Sequence, residues 1–440
     1  MEHIQSAIRA YFDARQEELI QAVCRLVRID STLGPAAPGQ PFGPGPAAAL
    51  KYMLELCASM GFRTKNCDGR VGWAEIGQGD EMVGILCHLD VVPAGTGWDY
   101  PPFAMTLVGD RAYGRGTTDD KGPAMCCVYA MKDILNSGVT LKRRIRIIFG
   151  LSEETGVWED MTYYTAHEER PVFGITPDAD FPAIYGEKGI LGIELRMPLR
   201  ESGLLSAAGG SASNVIPPWC EVTYAGADGL SVTVKTQGKP AHASTPEDGR
   251  SAISAMMEQL AAVPGLNSPF VDFYQKHIGW DCYGGKMGCG LEDAQSGKLT
   301  LNAGVLAVEG EDLVLTLDIR NPVTFGPEDV LAPVRAAAGA YGMTASLMEH
   351  NPPIYMDKNG PVITALLEVY REVTGDREHQ PTVIGGGTYA RAMDNIVAFG
   401  PMLPGRELTE HMNNEYALVE DLYLCRTIYR KALEKLAGDM

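Results

Sequence analysis

His88-Leu89-Asp90 follows directly on an apolar run, MVGILC at Met82–Cys87. Such a run suits a buried parallel strand, and open α/β sheets place their ligands in loops at the carboxyl ends of parallel strands. An extended chain leaves alternate residues on one side, so His88 and Asp90 can converge. A carboxylate bonded to the far imidazole nitrogen fixes the tautomer of a metal-bound histidine. A second candidate is Gly114-Arg-Gly-Thr-Thr-Asp119-Asp120-Lys121-Gly122-Pro123, a glycine-rich turn ending at a helix start. It is no phosphate loop, because the Walker spacing is missing and acids sit where the anion would go. Ser152-Glu153-Glu154-Thr155-Gly156 closes another apolar run, Arg144–Leu151. Adjacent glutamates there repel the other carboxylates unless cations or protons compensate. Pro177-Asp178-Ala179-Asp180-Phe181-Pro182 and His411, in a late polar loop, complete the series.

Taken singly, each of these reads equally well as a solvated polar loop or a helix cap. Taken together, four clusters at strand ends of one α/β domain and a fifth where the chain returns to it supply oxygen and nitrogen ligands without thiolate. That donor set suits zinc, manganese or cobalt. Two divalent ions roughly 3.5–4 Å apart need one bridging carboxylate and further ligands on each side. One glutamate is then free to act as a base.

The elements that must hold these residues alternate in the first part of the chain. Pro46–Met60 and Pro123–Asn136 read as helices, and Met82–Cys87 and Arg144–Leu151 as buried strands. This is the pattern of an α/β domain whose mostly parallel sheet is flanked by helices. After about Tyr185 the pattern changes. Gly192–Pro198, Cys220–Gly226, Leu230–Thr236, Leu299–Val308 and Leu313–Ile319 alternate polar and apolar residues like antiparallel strands. Helices at Gly249–Val263 and Pro327–Tyr341 accompany them. A helix-like run from Pro361 leads to Gly385–Gly387 and a final helix. The expectation is a catalytic α/β domain, 1–186 plus 354–440, interrupted by an inserted α+β lid domain with an antiparallel sheet at 187–353.

Composition narrows the classes. A chain of 440 residues exceeds the size at which one core usually keeps growing. A net charge of −19 argues against nucleic acid as a partner. No stretch approaches the roughly eighteen uninterrupted apolar residues of a membrane span, which argues against a membrane partner. The N-terminus, MEHIQSAIRAYFDARQEELIQAVCRLVRI, reads as an amphipathic helix without the apolar core and cleavage site of a signal peptide. The ten cysteines are scattered and form no CxxC pair, and Cys87, Cys126 and Cys127 sit in apolar runs. They read as reduced thiols in a cytoplasm.

The ordered segments HLDVVPAG, GRGTTDDKGP, SEETG and TPDADFP, with the late histidine, resemble the dinuclear-metal aminopeptidase/carboxypeptidase/deacylase family, peptidase family M20. That family includes carnosinases, glutamate carboxypeptidases, succinyl-diaminopimelate desuccinylases and bacterial dipeptidases of the PepV type. The last are the nearest match, and the resemblance spans nearly the whole chain. It implies two divalent ions, zinc first, with manganese or cobalt as alternatives. His88 and Asp178 would bind one ion, Glu154 and His411 the other, and Asp119 both. Asp119 rather than Asp120 is implied because the family pattern is Asp-x-Lys/Met-Gly. Asp90 would orient His88, Glu153 would be the general base, and a cis peptide would follow Asp119.

In the insert, Gly238-Lys-Pro-Ala-His242-Ala-Ser resembles the family's lid segment, whose histidine stabilises the oxyanion. Ser213-Asn214-Val215-Ile216-Pro217 resembles a lid asparagine that reaches the substrate. Arg320, at the end of a strand, and the loop containing Gly386, Gly387 and Thr388 would hold the substrate carboxylate. The implied activity is a metal-dependent dipeptidase, in which hydroxide held by two metals attacks the peptide bond and Glu153 acts as base. An N-acyl amino acid deacylase or desuccinylase is the alternative, and a non-catalytic descendant the more distant one. The stretch Gly285–Gly304 resembles the elongated PepV-type lid, which implies a monomer rather than a homodimer.

Overall fold

The computed structural model describes residues 17–438. A helix occupies 17–27, so the first part of the expected N-terminal helix lies outside the described residues. The chain divides into two compact units. The first runs up to Tyr185, takes in Met356–Thr382, and continues from Thr388. The second is Gly186–Tyr355 with Val383–Gly387.

The first unit is built on a mixed sheet in the order Arg63–Cys67, Val71–Ile76, Arg144–Gly150, Met82–His88, Phe173–Thr176, Ile396–Ala398. Its first two pairings are antiparallel and the next three parallel. All seven residues of Met82–His88 are buried, as expected of a parallel strand covered on both faces. The helices Lys121–Ser137 and Val419–Ala437 pack on each other and on these strands. His88 is the last residue of its strand rather than the first of a loop, and Lys121–Ser137 begins two residues before Pro123.

The second unit has a seven-stranded antiparallel sheet. Its order is Ser231–Gln237, Trp219–Ala225, Ser206–Gly209, Thr300–Glu309, Asp312–Asn321, Gly189–Pro198, Thr344–Asn351. Burial alternates along Gly189–Pro198, the mark of a strand with one covered face. The helices Ala252–Ala261, Pro269–His277 and Pro327–Gly339 contribute Met256, Phe270, Tyr274 and Val334 to the core over the covered face. Ser251 and Ser268 cap the first two of these helices by accepting the N–H of Ser254 and Val271. The fold class is therefore the mixed α/β architecture with an α+β insert that the hydrophobic patterning implies. Among the described residues no helix is long and apolar enough to cross a membrane.

Candidate metal centre

Three parallel strands deliver most of the cluster. Met82–His88 lies between Arg144–Gly150 and Phe173–Thr176, with His88 opposite Gly150. Their carboxyl ends therefore open on one edge. Glu153 and Glu154 stand on a single 3-10 turn beyond Gly150, and Asp178 lies two residues past Thr176. Asp119 departs from the expected strand-end placement of four clusters, since it comes from the loop that opens the helix Lys121–Ser137. That loop closes tightly on itself. A Cβ on Gly122 would stand 2.0 Å from the carbonyl oxygen of Thr117, so only glycine fits. The Asp119–Asp120 peptide is cis.

The side chains converge. His88 Nε2 lies 2.9 Å from Asp119 Oδ1 and 3.9 Å from Asp178 Oδ2. His411 Nε2 lies 2.9 Å from Asp119 Oδ2 and 3.0 Å from Glu154 Oε2. Asp119 thus turns one oxygen to each imidazole, the disposition a bridging carboxylate needs. Two sets of potential ligand atoms fall within 4.8 Å of one another: His88, Glu153 and Asp178, and His88, Asp119 and Glu154. Glu153 accordingly stands at ligand distance, and position alone does not separate a base from a ligand.

Asp90 is buried beneath the cluster and does more than orient a ring. The closest partner of His88 Nδ1 is the Asp90 carbonyl oxygen at 3.0 Å, with a carboxylate oxygen at 3.5 Å. The two carboxylate oxygens accept the backbone N–H groups of Glu153, at 3.2 Å, and Glu154, at 3.1 Å. One residue therefore fixes both, the histidine chiefly through its carbonyl and the glutamate turn through its carboxylate.

Other supporting groups carry no local sequence signal. Asp160 is buried and accepts the N–H of Leu151 and Ser152, at 2.5 and 2.9 Å, together with the hydroxyl of Tyr389. Tyr389 sets its ring edge-on to His88, with centroids 6.2 Å apart. It fits because Gly150 has no side chain, since a Cβ there would meet the Tyr389 hydroxyl at 2.2 Å. Glu415 is fully buried under the Asp119 loop. Its partners lie about 300 positions away in sequence, beyond any spacing rule.

Charge explains why such a cluster calls for cations. Glu153 is pushed well above the usual carboxylate range by loss of water and by the nearby Asp178. Loss of water also raises Asp178 and Glu154, with Asp119 adding repulsion in both cases. Burial opposes charge on the imidazoles, yet Asp119 and its neighbours outweigh it, holding His88 well above its ordinary value and His411 up to about 11. Burial works against ionised Asp119 too, but its hydrogen bonds with His411 and His88 bring it below the usual range. Acids that repel and imidazoles that must stay protonated are the chemistry of a site whose missing charge is cationic. Four carboxylates and two imidazoles, with no thiolate, fit two divalent ions.

The remaining candidates lie elsewhere in the chain. Asn214, His242, Arg320, Gly386 and Gly387 belong to the second unit, and Thr388 to the first. The Asn214 and His242 segments pair through Val215 and His242, and Ala243 N–H donates to the Asn214 carbonyl at 2.9 Å. His242 Nδ1 lies 2.6 Å from Ser244 Oγ. The Arg320 guanidinium, 5% exposed, spends two donors on the Asp318 carboxylate, at 2.6 and 2.8 Å, and a third on the Gly385 carbonyl. Thr388 accepts the N–H of Ala390 through its hydroxyl. All ten cysteines are free thiols.

Comparison with known proteins gives concordant results. Residues 84–435 match the model of Peptidase family M20/M25/M40. "Putative dipeptidase YtjP" of Bacillus subtilis is 34% identical over 96% of this chain and 98% of its own length. "Putative dipeptidase SSP1012" of Staphylococcus saprophyticus is 34% identical over 91% of this chain and 92% of its own. Human carnosine dipeptidase 1 superposes with a TM-score of 0.61 at 16% identity, covering 97% of this chain and 98% of that one. An M20 family metallo-carboxypeptidase from Sulfolobus solfataricus gives 0.60 at 18% identity, covering 95% and 99%. At these identities the two solved structures speak to the fold.

Proposed function

The chain belongs to Peptidase family M20/M25/M40 and is a hydrolase, and within that family we propose that it is a metal-dependent dipeptidase. Its substrates in this reading are dipeptides with free amino and carboxyl ends. The observation that carries the reading is Asp119, whose two oxygens each face a different histidine in the midst of three further acids. The dipeptidase names of relatives that match almost end to end support the substrate class.

In this reading His88 and Asp178 would hold one divalent ion, Glu154 and His411 the other, and Asp119 would serve both. When bound, zinc, or else manganese or cobalt, would supply Lewis acidity and lower the pKa of water to about 7. Glu153 takes a proton from the attacking water and returns it to the departing amine. Burial pushes this carboxyl above the usual carboxylate range, the direction required of a base that must also hold the proton it later returns. Asp90 keeps His88 and the two glutamates in register. To His242 we assign the oxyanion, to Asn214 a substrate contact, and to Arg320, Gly386, Gly387 and Thr388 the substrate carboxylate. The roles of these six residues rest on the family resemblance. So does the monomeric state, whereas the division into a catalytic domain and a lid at 187–353 rests on the hydrophobic patterning and the cytoplasmic location on the scattered cysteines.

The test is hydrolysis by metal-stripped protein reloaded with zinc, manganese or cobalt, measured on dipeptides, tripeptides, β-alanyl dipeptides and N-acyl amino acids. Dipeptides should be cleaved fastest, and N-acetylated or amidated dipeptides barely, because a site built for a charged end is left unpaired by a blocked one. Rapid cleavage of N-acetyl or N-succinyl amino acids with dipeptides inert would replace the dipeptidase with a deacylase.

A further inference from the structure

Glu415 has no part in the chemistry above, yet it is one of the most heavily bonded side chains in the chain. It is fully buried, four residues after His411. Oε1 accepts the backbone N–H of Gly116 and Thr118, each at 3.0 Å, and of Asp119 at 3.3 Å. Oε2 accepts Arg115 Nη1 at 2.7 Å and shares the N–H of Gly116 at 3.1 Å. The backbone adds a bond in register, with Gly114 N–H donating to the Glu415 carbonyl at 2.9 Å. Every hydrogen-bond partner of the carboxylate is a donor. Only a carboxylate side chain offers two acceptor oxygens without bringing a donor of its own, and aspartate is one methylene shorter.

The position of this clamp is selective. It ties the segment carrying His411 to the loop carrying Asp119, two of the three groups that meet at the outer ion. His411 needs such a tether: its side chain is 56% exposed and its backbone lies in the left-handed region at φ 62°. By contrast, His88 and Asp178 sit at the ends of paired strands and Glu154 hangs from Asp90, none of which touches Glu415.

We propose that Glu415 is a positioning residue that supports the His411–Glu154 ion, two of whose three ligands stand on the segments it ties together, more strongly than the His88–Asp178 ion, which shares only Asp119 with that clamp. The proposal rests on the metal assignment above. Partners that orient metal ligands typically contribute about 10–100-fold in metal affinity, and that is the size expected here for one ion of the two. Glu415→Gln is nearly isosteric, but its NH2 group would face backbone N–H donors. Glu415→Asp keeps the charge and withdraws it by one methylene.

The experiment is calorimetric titration of metal-stripped protein with Zn²⁺, with bound metal counted after dialysis, for the wild type, both variants and Asp178→Asn. The wild type should take up two ions. Glu415→Gln should bind one ion about 10–100-fold more weakly and the other with a distinctly smaller loss, and Glu415→Asp should show a smaller loss in the same order. Asp178→Asn should weaken the other ion. Failure of the wild type to bind two ions would remove the metal assignment itself. Two ions of unchanged affinity in Glu415→Gln, equal weakening of both, or unfolding of both Glu415 variants would overturn the inference while leaving that assignment standing.

Discussion

The two histidines of the cluster are held in opposite ways. His88 is 1% exposed, ends a strand hydrogen-bonded on both sides, and has its ring fixed by Asp90 below and Tyr389 at its edge. His411 is more than half exposed, stands on a loop, and owes its position to Asp119 and Glu154 in front and to Glu415 four residues behind. The sheet prepares the inner half of the site, whereas the outer half is assembled by contacts between distant segments. Acidity varies within the cluster too. Burial and the nearby Asp178 raise Glu153 on the inner side, while His411 and His88, one from each half, keep Asp119 ionised between them. A base whose pKa must rise belongs on the inner side, and a shared ligand whose charge must persist belongs between the two.

The largest effect should come from testing that division at Glu153. Glu153→Ala should lower turnover by about 10⁴-fold, the upper range for removing a general base, with two ions still bound. Metal loss equal to that of Glu154→Ala would make Glu153 a ligand, as its distance from His88 and Asp178 would also permit. A smaller loss is expected at His242 in the second unit. His242→Ala should cost roughly 10²–10³ in kcat, the usual size for one oxyanion donor, at unchanged metal content. An unaltered kcat would confine the chemistry to the first unit.

The same contrast governs how much could be read before the fold was known. Strand-end residues announce themselves because an apolar run that ends in His88, or leads into Glu153 and Glu154, is a local signal of a buried strand opening on a ligand edge. The antiparallel strands of the insert were legible for a similar reason, since alternation marks one covered face. Asp119 was legible as part of a constrained turn ahead of a helix, and only the boundary moved, since the helix Lys121–Ser137 begins two residues before Pro123. Glu415, Asp160 and Tyr389 were invisible. Glu415 and Tyr389 reach partners far away in sequence, and Asp160, on the helix Glu159–His167, turns back to the amides of Leu151 and Ser152, contacts that no periodicity betrays. Arg320 was legible as a cation at a strand end, but not that Asp318 and Gly385 already engage its guanidinium.

Asp90 sharpens the comparison further, because it serves both the inner histidine and the glutamate turn. Asp90→Asn keeps the shape and the ring contact through the main-chain carbonyl, but turns an NH2 group toward the N–H of Glu153 or Glu154. The expected cost is about 10–100-fold in kcat/KM. If orientation of His88 were its whole role, the loss would appear as weaker binding of the inner ion alone. A shift of the alkaline or acid limb of the kcat profile would reveal the second role, since moving the Glu153 turn changes the surroundings of the base.

The smallest effect concerns the protein stripped of metal. Glu153, Glu154 and Asp178 have folded pKa values raised above their unfolded ones, and His88 and His411 are also raised, the latter to about 11. Raised groups of either kind make the folded state hold more protons than the unfolded chain. The stabilising share of each is complete below its unfolded pKa and disappears as pH climbs through its folded pKa. Asp119 has the opposite sign, but its contribution is lost only on acidification through the low carboxylate range. Between about pH 5 and 9 the metal-free protein should therefore lose stability with rising pH, by at most ~1.4 kcal/mol per pH unit for each extra proton held. Bound divalent ions take over the charge of those protons and should flatten the slope. Melting temperatures of stripped and zinc-loaded protein across that range provide the check. A metal-free Tm that is flat or rises with pH would mean that the buried acids of the inner half are compensated by something other than protons.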